Sequence, residues 1–507
     1  MAFEPLYDVV KADYKKRLGS AQALIECKLI PDGGAAVAKV LSISCDGGAA
    51  ACELLTGEAR VSGRVKFRAV FLNAEGGVGV VESGADFSEK IAGEAIAPGM
   101  RAEAVCAVLD TDTVSVSAGE MKLSCLFELA LYGLASEPVV CFKGAGGEVF
   151  TNKEKIDYRV SAGCADESFT VSEEKQIKDN VTSVLLCEGG ALLKEAVCLT
   201  DAVRFVGSAY LNALCETEDK RLISLPIQID FEQEVAARGV QTGCDAHADV
   251  CIKAVDVRLE KDSESDTAVL RVEAQVAARA EAYTSAEAEY VSDAFSVTNE
   301  LKINAEDFRL NRYLFGKPYN EKIEGSAALE AGMPYMDTIL ALAASRVNVA
   351  GAFCEAGKIR LEGVIDTCVI YRNAETDSKN SVQVELPYSV TLPCDGAEAG
   401  ATAMARGVVT DISARPKRGA EVEISARIGF NADVYGTAAG RCVKEIELGA
   451  PRAAAPAAVA VYITRKGETL WDVAKALRTT PESIMTFNPA LKVPLEGKER
   501  VLVYRRI

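Results

Sequence analysis

The chain has almost none of the residues on which common catalytic and metal sites depend. Its 507 residues include one histidine, His247, and one tryptophan, Trp471. A Ser-His-Asp arrangement would therefore have only one possible base. His247 lies between Cys244 and Cys251, but on a strand Cys244 would face away from the other two, and zinc requires a fourth ligand. We therefore expect no catalytic residues, no metal, no cofactor and no enzymatic activity.

Long apolar runs are missing as well. No segment approaches the ~18 consecutive apolar residues of a membrane helix. Charges are scattered through the first twenty residues, which lack the apolar segment of a signal peptide. The sixteen cysteines, spread from Cys27 to Cys442 without a C-x-x-C pair, favour reduced thiols over a disulfide framework. These features predict a cytoplasmic protein without membrane insertion.

Positive charge is scarce outside the C-terminal tail. The net charge is −18, yet residues 461–507 carry +4 and the remainder −22. An acidic body repels phosphates, which argues against nucleic acid as a partner. The basic tail is suited to an acidic surface, either on another protein or on a second copy of this chain.

What is present is a long internal repeat. Three segments alternate apolar and polar residues with the period of a half-buried strand, and each contains an R-x-x-G motif. Their glycines, Gly63, Gly207 and Gly363, are 144 and 156 residues apart. The repeated segments are EARVSGRVKFRAVFLN (58–73), AVRFVGSAYLNAL (202–214) and KIRLEGVIDTCVIYRN (358–373).

The repeat continues downstream with DFSEKI, DFEQEV and PYSVTL at equivalent offsets. A unit of this length is too long for a solenoid and large enough to hold its own core. We predict a mainly β chain: a string of three tandem β-rich, sandwich-like or barrel-like repeat domains, followed by a small βααβ domain. The expected domains are residues 1–145, 146–292 and 293–448, with an Ala/Pro linker at 449–460 and the small domain at 461–507.

The tail predicts strand, helix, helix and strand. Thr469 is placed to cap the first helix, with Asp472 in the capping-box position. Thr480 caps the second helix, and Pro481 occupies its first position. Leu470, Val473, Ala474 and Leu477 have the spacing of one buried helical face. In the second helix, Ile484 and Phe487 are expected to face inward.

The tail resembles the LysM domain. The matching residues are Y-x-x-x-x-G-E-T-L-W-x-x-A at Tyr462–Ala474, T-x-x-x-I at Thr480–Ile484 and N-P-x-L at Asn488–Leu491. The resemblance implies a ligand groove between the first strand–helix loop and the loop after the second helix. Trp471 is expected to be partly exposed, either as packing or as contact surface. The implied groove residues are Gly467, Glu468, Thr469, Leu470, Trp471, Asn488, Pro489, Ala490 and Leu491.

Three acidic β repeats followed by such a tail resemble the SipL-like spore-coat morphogenetic proteins, which combine SPOCS-type domains with a C-terminal LysM domain. This resemblance implies sporulation-specific coat assembly in the mother-cell cytoplasm, at the forespore surface. The implied partners are the coat ATPase (SpoIVA-like) and other coat proteins, with the LysM domain mediating the protein–protein interaction. Two alternatives are peptidoglycan or chitin-oligosaccharide binding at the cell envelope, and an enzyme carried on the β repeats. A deep polar pocket at matching places in all three repeats would favour the enzyme.

Overall fold

The structure is a computed structural model, which describes residues 5–117, 119–145, 149–177, 180–261, 268–453 and 459–504. These residues lie mostly in antiparallel β-strands, which confirms the prediction of a mainly β protein. The alternating pattern explains this outcome, since successive side chains along a strand point to opposite faces and an apolar face can be buried in a core. The two described α-helices lie near the C-terminus.

The first unit contains two three-stranded sheets. Their strand orders are β1-β6-β5 and β2-β3-β4. Apolar side chains from both sheets form one core, which includes the fully buried Phe67 and Phe127. The strands are β1 (Pro5–Leu29), β2 (Val37–Leu55), β3 (Glu58–Asn73), β4 (Val78–Ala92), β5 (Ala102–Ser117) and β6 (Glu120–Ala145).

The second unit has the same strand order. Its sheets are β11-β12-β7 and β10-β9-β8. Its strands are β7 (Val149–Ile177), β8 (Val181–Leu199), β9 (Ala202–Thr217), β10 (Leu222–Ala236), β11 (Asp245–Lys261) and β12 (Ala268–Ser296).

The third unit also follows this order, but its two sheets join through the pairing of Phe353 with Thr402. The joined sheet has the order β13-β18-β17-β14-β15-β16. Its strands are β13 (Asn299–Ala328), β14 (Thr338–Glu355), β15 (Lys358–Asn373), β16 (Ser378–Pro393), β17 (Thr402–Lys417) and β18 (Glu421–Pro451).

The repeated glycine has the same structural reason in each unit. Gly63 pairs with Phe87, whose ring lies over it, and a bulge in the neighbouring strand brings the carbonyl oxygen of Gly48 close. A Cβ on Gly63 would come within 2.1 Å of that oxygen. The equivalent pairs are Gly207 with Phe231 and Gly363 with Tyr388. Close approach of backbone and ring therefore requires glycine there.

The three β units are packed against one another. In each one the first and last strands extend beyond the sheet as a two-stranded arm, at 5–15/134–145, 149–160/284–296 and 299–312/436–451. Side chains from all three arms share one apolar cluster, represented by Val10, Ile156 and Phe308. A second shared cluster joins β2, β9 and β15 through Leu41, Leu214 and Ile370. The units pack together because the faces left apolar by each unit are buried against the others.

All sixteen cysteines are free thiols, nine of them buried. The nine buried thiols act as small apolar side chains. Burial, for example, raises the pKa of Cys187 to about 12. Within the described residues, no helix has the length and apolar character needed to cross a membrane.

Candidate functional site

The C-terminal unit consists of β19 (Val459–Ile463), α1 (Leu470–Leu477), α2 (Pro481–Phe487) and β20 (Arg500–Tyr504). Its strands pair antiparallel, with Val461 opposite Leu502. Val459 and Ala460, expected in the linker, belong to β19. At the other end of the expected linker, β18 continues to Pro451, and residues 454–458 lie outside the described part of the chain.

The two helices begin as the capping residues predict. The Thr469 hydroxyl accepts a hydrogen bond from the Asp472 amide, and the Asp472 carboxylate accepts one from the Thr469 amide. The Thr480 hydroxyl accepts from the Ser483 amide at 3.0 Å. These contacts satisfy amides that the first helical turn leaves without intrahelical partners. The buried core of the unit is Val473, Ala474, Leu477, Ile484, Leu495, Val501 and Val503.

Phe487 does not face this core, which corrects the expectation for α2. Its side chain is 45% exposed, and its ring centroid lies 4.8 Å from that of Tyr504. Phe487 is the last residue of a helix of seven residues, whereas Ile484, one turn earlier, is buried. The short helix thus places only its middle turn over the core.

The first wall of the implied groove is occupied by internal hydrogen bonds. Glu468 accepts from the Tyr462 hydroxyl at 2.8 Å and from the Arg465 amide at 2.7 Å. Gly467 has a φ of +87° and forms the turn, and Thr469 caps α1. Leu470 is half-buried against the core of the unit. These residues therefore have structural roles in the loop before α1.

The second wall is built around Asn488. Its side-chain amide donates to the carbonyl oxygens of Ile484 and Leu502, at 2.8 and 2.7 Å, and its Oδ1 accepts from the Leu502 amide. The Leu491 side chain packs on the same apolar cluster as Leu470, so the two walls meet at the core. Pro489 and Ala490 are exposed.

Trp471 takes part in a contact between the C-terminal unit and the body. Its indole Nε1 donates to Asp293 Oδ2 at 2.9 Å, and Lys475 Nζ lies 2.7 Å from both carboxylate oxygens of Asp293. The indole meets the ring of Phe295 edge-on, with centroids 4.9 Å apart. The ring of Phe150 also stacks on that of Phe295, with centroids 5.5 Å apart. The outer side of α1 is therefore docked on the end of β12.

The outer side of the β19–β20 sheet is apolar and open to solvent. Side chains alternate along each strand, so Val501 and Val503 point inward while their neighbours point outward. We call the outward set the sheet face. It consists of Val459, Val461, Ile463, Leu502 and Tyr504, with Phe487 at its edge, and these side chains are 39–62% exposed.

In the C-terminal unit, three acidic side chains have hydrogen-bond partners, whereas four basic side chains form no ion pair within the described residues. The carboxylates of Glu468, Asp472 and Glu499 accept hydrogen bonds within the unit. The hydrogen bond from the Thr464 hydroxyl lowers the pKa of Glu499. In the described ranges, by contrast, no ion-pair partner is found for the side chains of Arg465, Lys466, Lys498 and Arg500. Several cations beside the sheet face therefore form no ion pair within the described residues.

A second polar cluster lies where the three units of the body meet. Lys15 Nζ of the first unit is 3.0 Å from His247 Nε2 of the second, and His247 Nδ1 is 3.2 Å from Asp433 Oδ2 of the third. The Tyr313 hydroxyl, 3.1 Å from Asp433 Oδ1, donates to the carbonyl oxygen of Ala246 at 2.7 Å. His247 is only 7% exposed. A row of Lys, His and Asp side chains can act as a proton relay. Here the histidine is buried between the three units, which favours a structural role at their junction.

Two shallow clefts lie at junctions between units. One, between the second and third units, is lined by Lys194, Gly316 and Asp433. The other, between the first and third units, is lined by Ser42, Thr111 and Gln383. They involve different strands and do not occupy matching places in the repeat. Within the described part of the chain, no three His, Cys, Asp or Glu side chains are grouped to hold a metal ion.

Sequence reasoning missed Asp293, the junction around His247 and the sheet face. The first two depend on contacts between residues more than 170 positions apart, which no local pattern records. The sheet face did leave a signal. VAVYI and RVLVY are apolar at almost every position, whereas a two-stranded sheet with one wet side should alternate.

Comparison of this chain with protein-family models, with curated proteins and with solved structures gives no match.

Proposed function

We propose that this protein is a non-enzymatic spore-coat assembly protein of the SipL-like kind. Its C-terminal unit, a LysM-type domain, would bind the coat ATPase (SpoIVA-like) and so tether the coat to the forespore surface in the mother-cell cytoplasm. The three repeated β units, at about 1–145, 146–292 and 293–448, would be its SPOCS-like domains. They would offer further contact surface to other coat proteins.

One observation carries the choice of a protein partner over a glycan. The first groove wall is engaged in internal hydrogen bonds and Trp471 in docking, while the open surface of the unit is the apolar sheet face. Sugar sites depend on polar groups that are free to bind hydroxyls, whereas exposed apolar patches are typical of protein interfaces. The cations beside the sheet face, which form no ion pair within the described residues, fit an acidic protein surface.

Localisation in sporulating cells tests this proposal. The full chain and a version ending at Ala453 would each carry a fluorescent tag. We expect a ring of fluorescence around the forespore for the full chain and diffuse mother-cell fluorescence for the shortened one. Fluorescence at the outer cell envelope, or co-sedimentation of the full chain with purified peptidoglycan, would instead support the glycan-binding alternative.

A further inference from the structure

The sheet face is an apolar surface on the smallest unit of the molecule. Val461 and Leu502 lie directly opposite each other on β19 and β20 and are 62% and 39% exposed. Val459 and Tyr504 form the next outward pair, at 50% and 48%. Adjacent outward pairs make a continuous patch, and exposed patches of this kind usually mark binding sites.

The body of the same chain does not cover this patch. These exposed fractions hold with the whole described chain in place, and the contact with the body is made by α1 through Trp471 and Lys475. Asp293 and Phe295 thus engage the helical side of the unit and leave the strand side free. The strand side of the unit is therefore the side that is open to a partner.

The charges beside the sheet face indicate the chemistry of that partner. Arg500 is on the outward side of β20, opposite Ile463, and Arg465 and Lys466 follow β19 after one residue, Thr464. The carboxylate of Glu499, next to Arg500 in the chain, accepts from the Thr464 hydroxyl and the Gly497 amide and forms no ion pair with these cations. A partner that supplies carboxylates around an apolar strip would complement both features.

Resting on the proposed function, we infer that the sheet face is the surface through which the C-terminal unit binds the coat ATPase. The bound segment of the ATPase would present apolar side chains flanked by carboxylates. The implied groove, with Pro489 and Ala490 on its exposed wall, would then be dispensable for this contact.

The experiment measures the affinity of the purified full-length chain for the purified coat ATPase. A double variant, Val461→Ser with Leu502→Ser, should weaken binding by about tenfold or more, because central apolar contacts dominate interface energies. Arg500→Glu, a single surface change, should weaken it by several-fold, most strongly at low salt. The control Ala490→Lys, which fills the groove with a long cation, should bind like the unchanged protein.

Folding of each variant is checked through the fluorescence of Trp471, the single tryptophan, which lies on the docked side of the unit. If Ala490→Lys weakens binding while the sheet-face variants do not, the inference is wrong and the groove binds the ATPase. Self-association that disappears in the double variant would instead make a second copy the occupant. If the unchanged protein does not bind the ATPase, the proposed function itself fails.

Discussion

At the residue scale, Glu103 is a carboxylate surrounded by cations in the junction between the first and second units. Its carboxylate is paired with Lys15 and lies 3.2 Å from Arg279 Nη1 of the second unit. Burial by itself would raise the pKa of Glu103, but the charges of Lys15, Arg406 and Arg279 lower it to about 2. The lowered pKa means that the folded chain favours the ionised form.

We predict that Glu103→Gln destabilises the protein near pH 7 by roughly 3 kcal/mol, because it leaves the buried Lys15 ammonium without its carboxylate partner. The folded-state pKa lies below the ordinary value of 4.5. The ionised carboxylate therefore stabilises the fold above about pH 5, and this contribution is lost as the pH falls toward 2. Urea unfolding at pH 7 and pH 3 measures the difference, which should shrink at the lower pH.

The matched control is Glu128→Gln, which removes a partner from the more exposed Arg17. This change should cost less than about 1 kcal/mol at either pH. An equal loss for Glu103→Gln at both pH values would contradict the role assigned to its charge.

At the scale of elements, docking of α1 decides how the C-terminal unit is held. The motif around Trp471 predicts a helix with a buried face, and that face is formed by Val473, Ala474 and Leu477. The sequence left open whether Trp471 packs or binds a partner. The structure gives the indole an internal partner, Asp293. The C-terminal unit, which the expected Ala/Pro linker separates from the body in sequence, is thus held on β12.

We predict that Asp293→Ala releases α1 from the body. Removing this carboxylate leaves the Trp471 indole and the Lys475 ammonium without their shared acceptor. The fluorescence of Trp471 should shift to longer wavelength, and its quenching by acrylamide should increase. The signal is unambiguous because the chain has one tryptophan.

Glu289→Ala serves as the control for this change. Glu289 lies on the same strand but pairs with Lys153 at the surface, so its removal should leave the fluorescence unchanged. If Asp293→Ala also left the emission and quenching unchanged, the docked position of α1 would be wrong.

At the scale of the whole molecule, the three units depend on one another. The shared cluster around Leu41, Leu214 and Ile370 takes side chains from every unit. A second inter-unit contact is made by Glu188, which accepts from the Ser44 hydroxyl at 2.6 Å and from the Ala344 amide. Burial raises the pKa of this carboxyl group. Because of these contacts, we expect the body to unfold as one cooperative structure.

We predict that Ile370→Ala lowers the stability of the entire body by roughly 2–5 kcal/mol, the usual cost of emptying a buried aliphatic site. Differential scanning calorimetry should show one main transition that moves to lower temperature as a whole. Leu24→Ala, at a side chain that is 64% exposed, should move it little. Several transitions, with only one of them shifted, would indicate that the units unfold independently.

The sequence by itself determined the mainly β class and the place and caps of the two helices. These features are local: alternation with a period of two predicts a strand, and Thr469 and Thr480 satisfy amides three residues away. It also marked Gly63, Gly207 and Gly363 as equivalent. The reason for glycine, a ring and a bulged strand above each one, became visible only with the strands paired.

The tertiary structure alone decided how the units are arranged and which side of the C-terminal unit is open. Lys15, His247 and Asp433 come from three distant segments, and Trp471 meets Asp293 across 178 positions. Such contacts depend on which apolar faces pack together in the folded chain. The periodicity of the sequence shows only that a strand has an apolar face. The partner that each face buries against is a property of the folded chain.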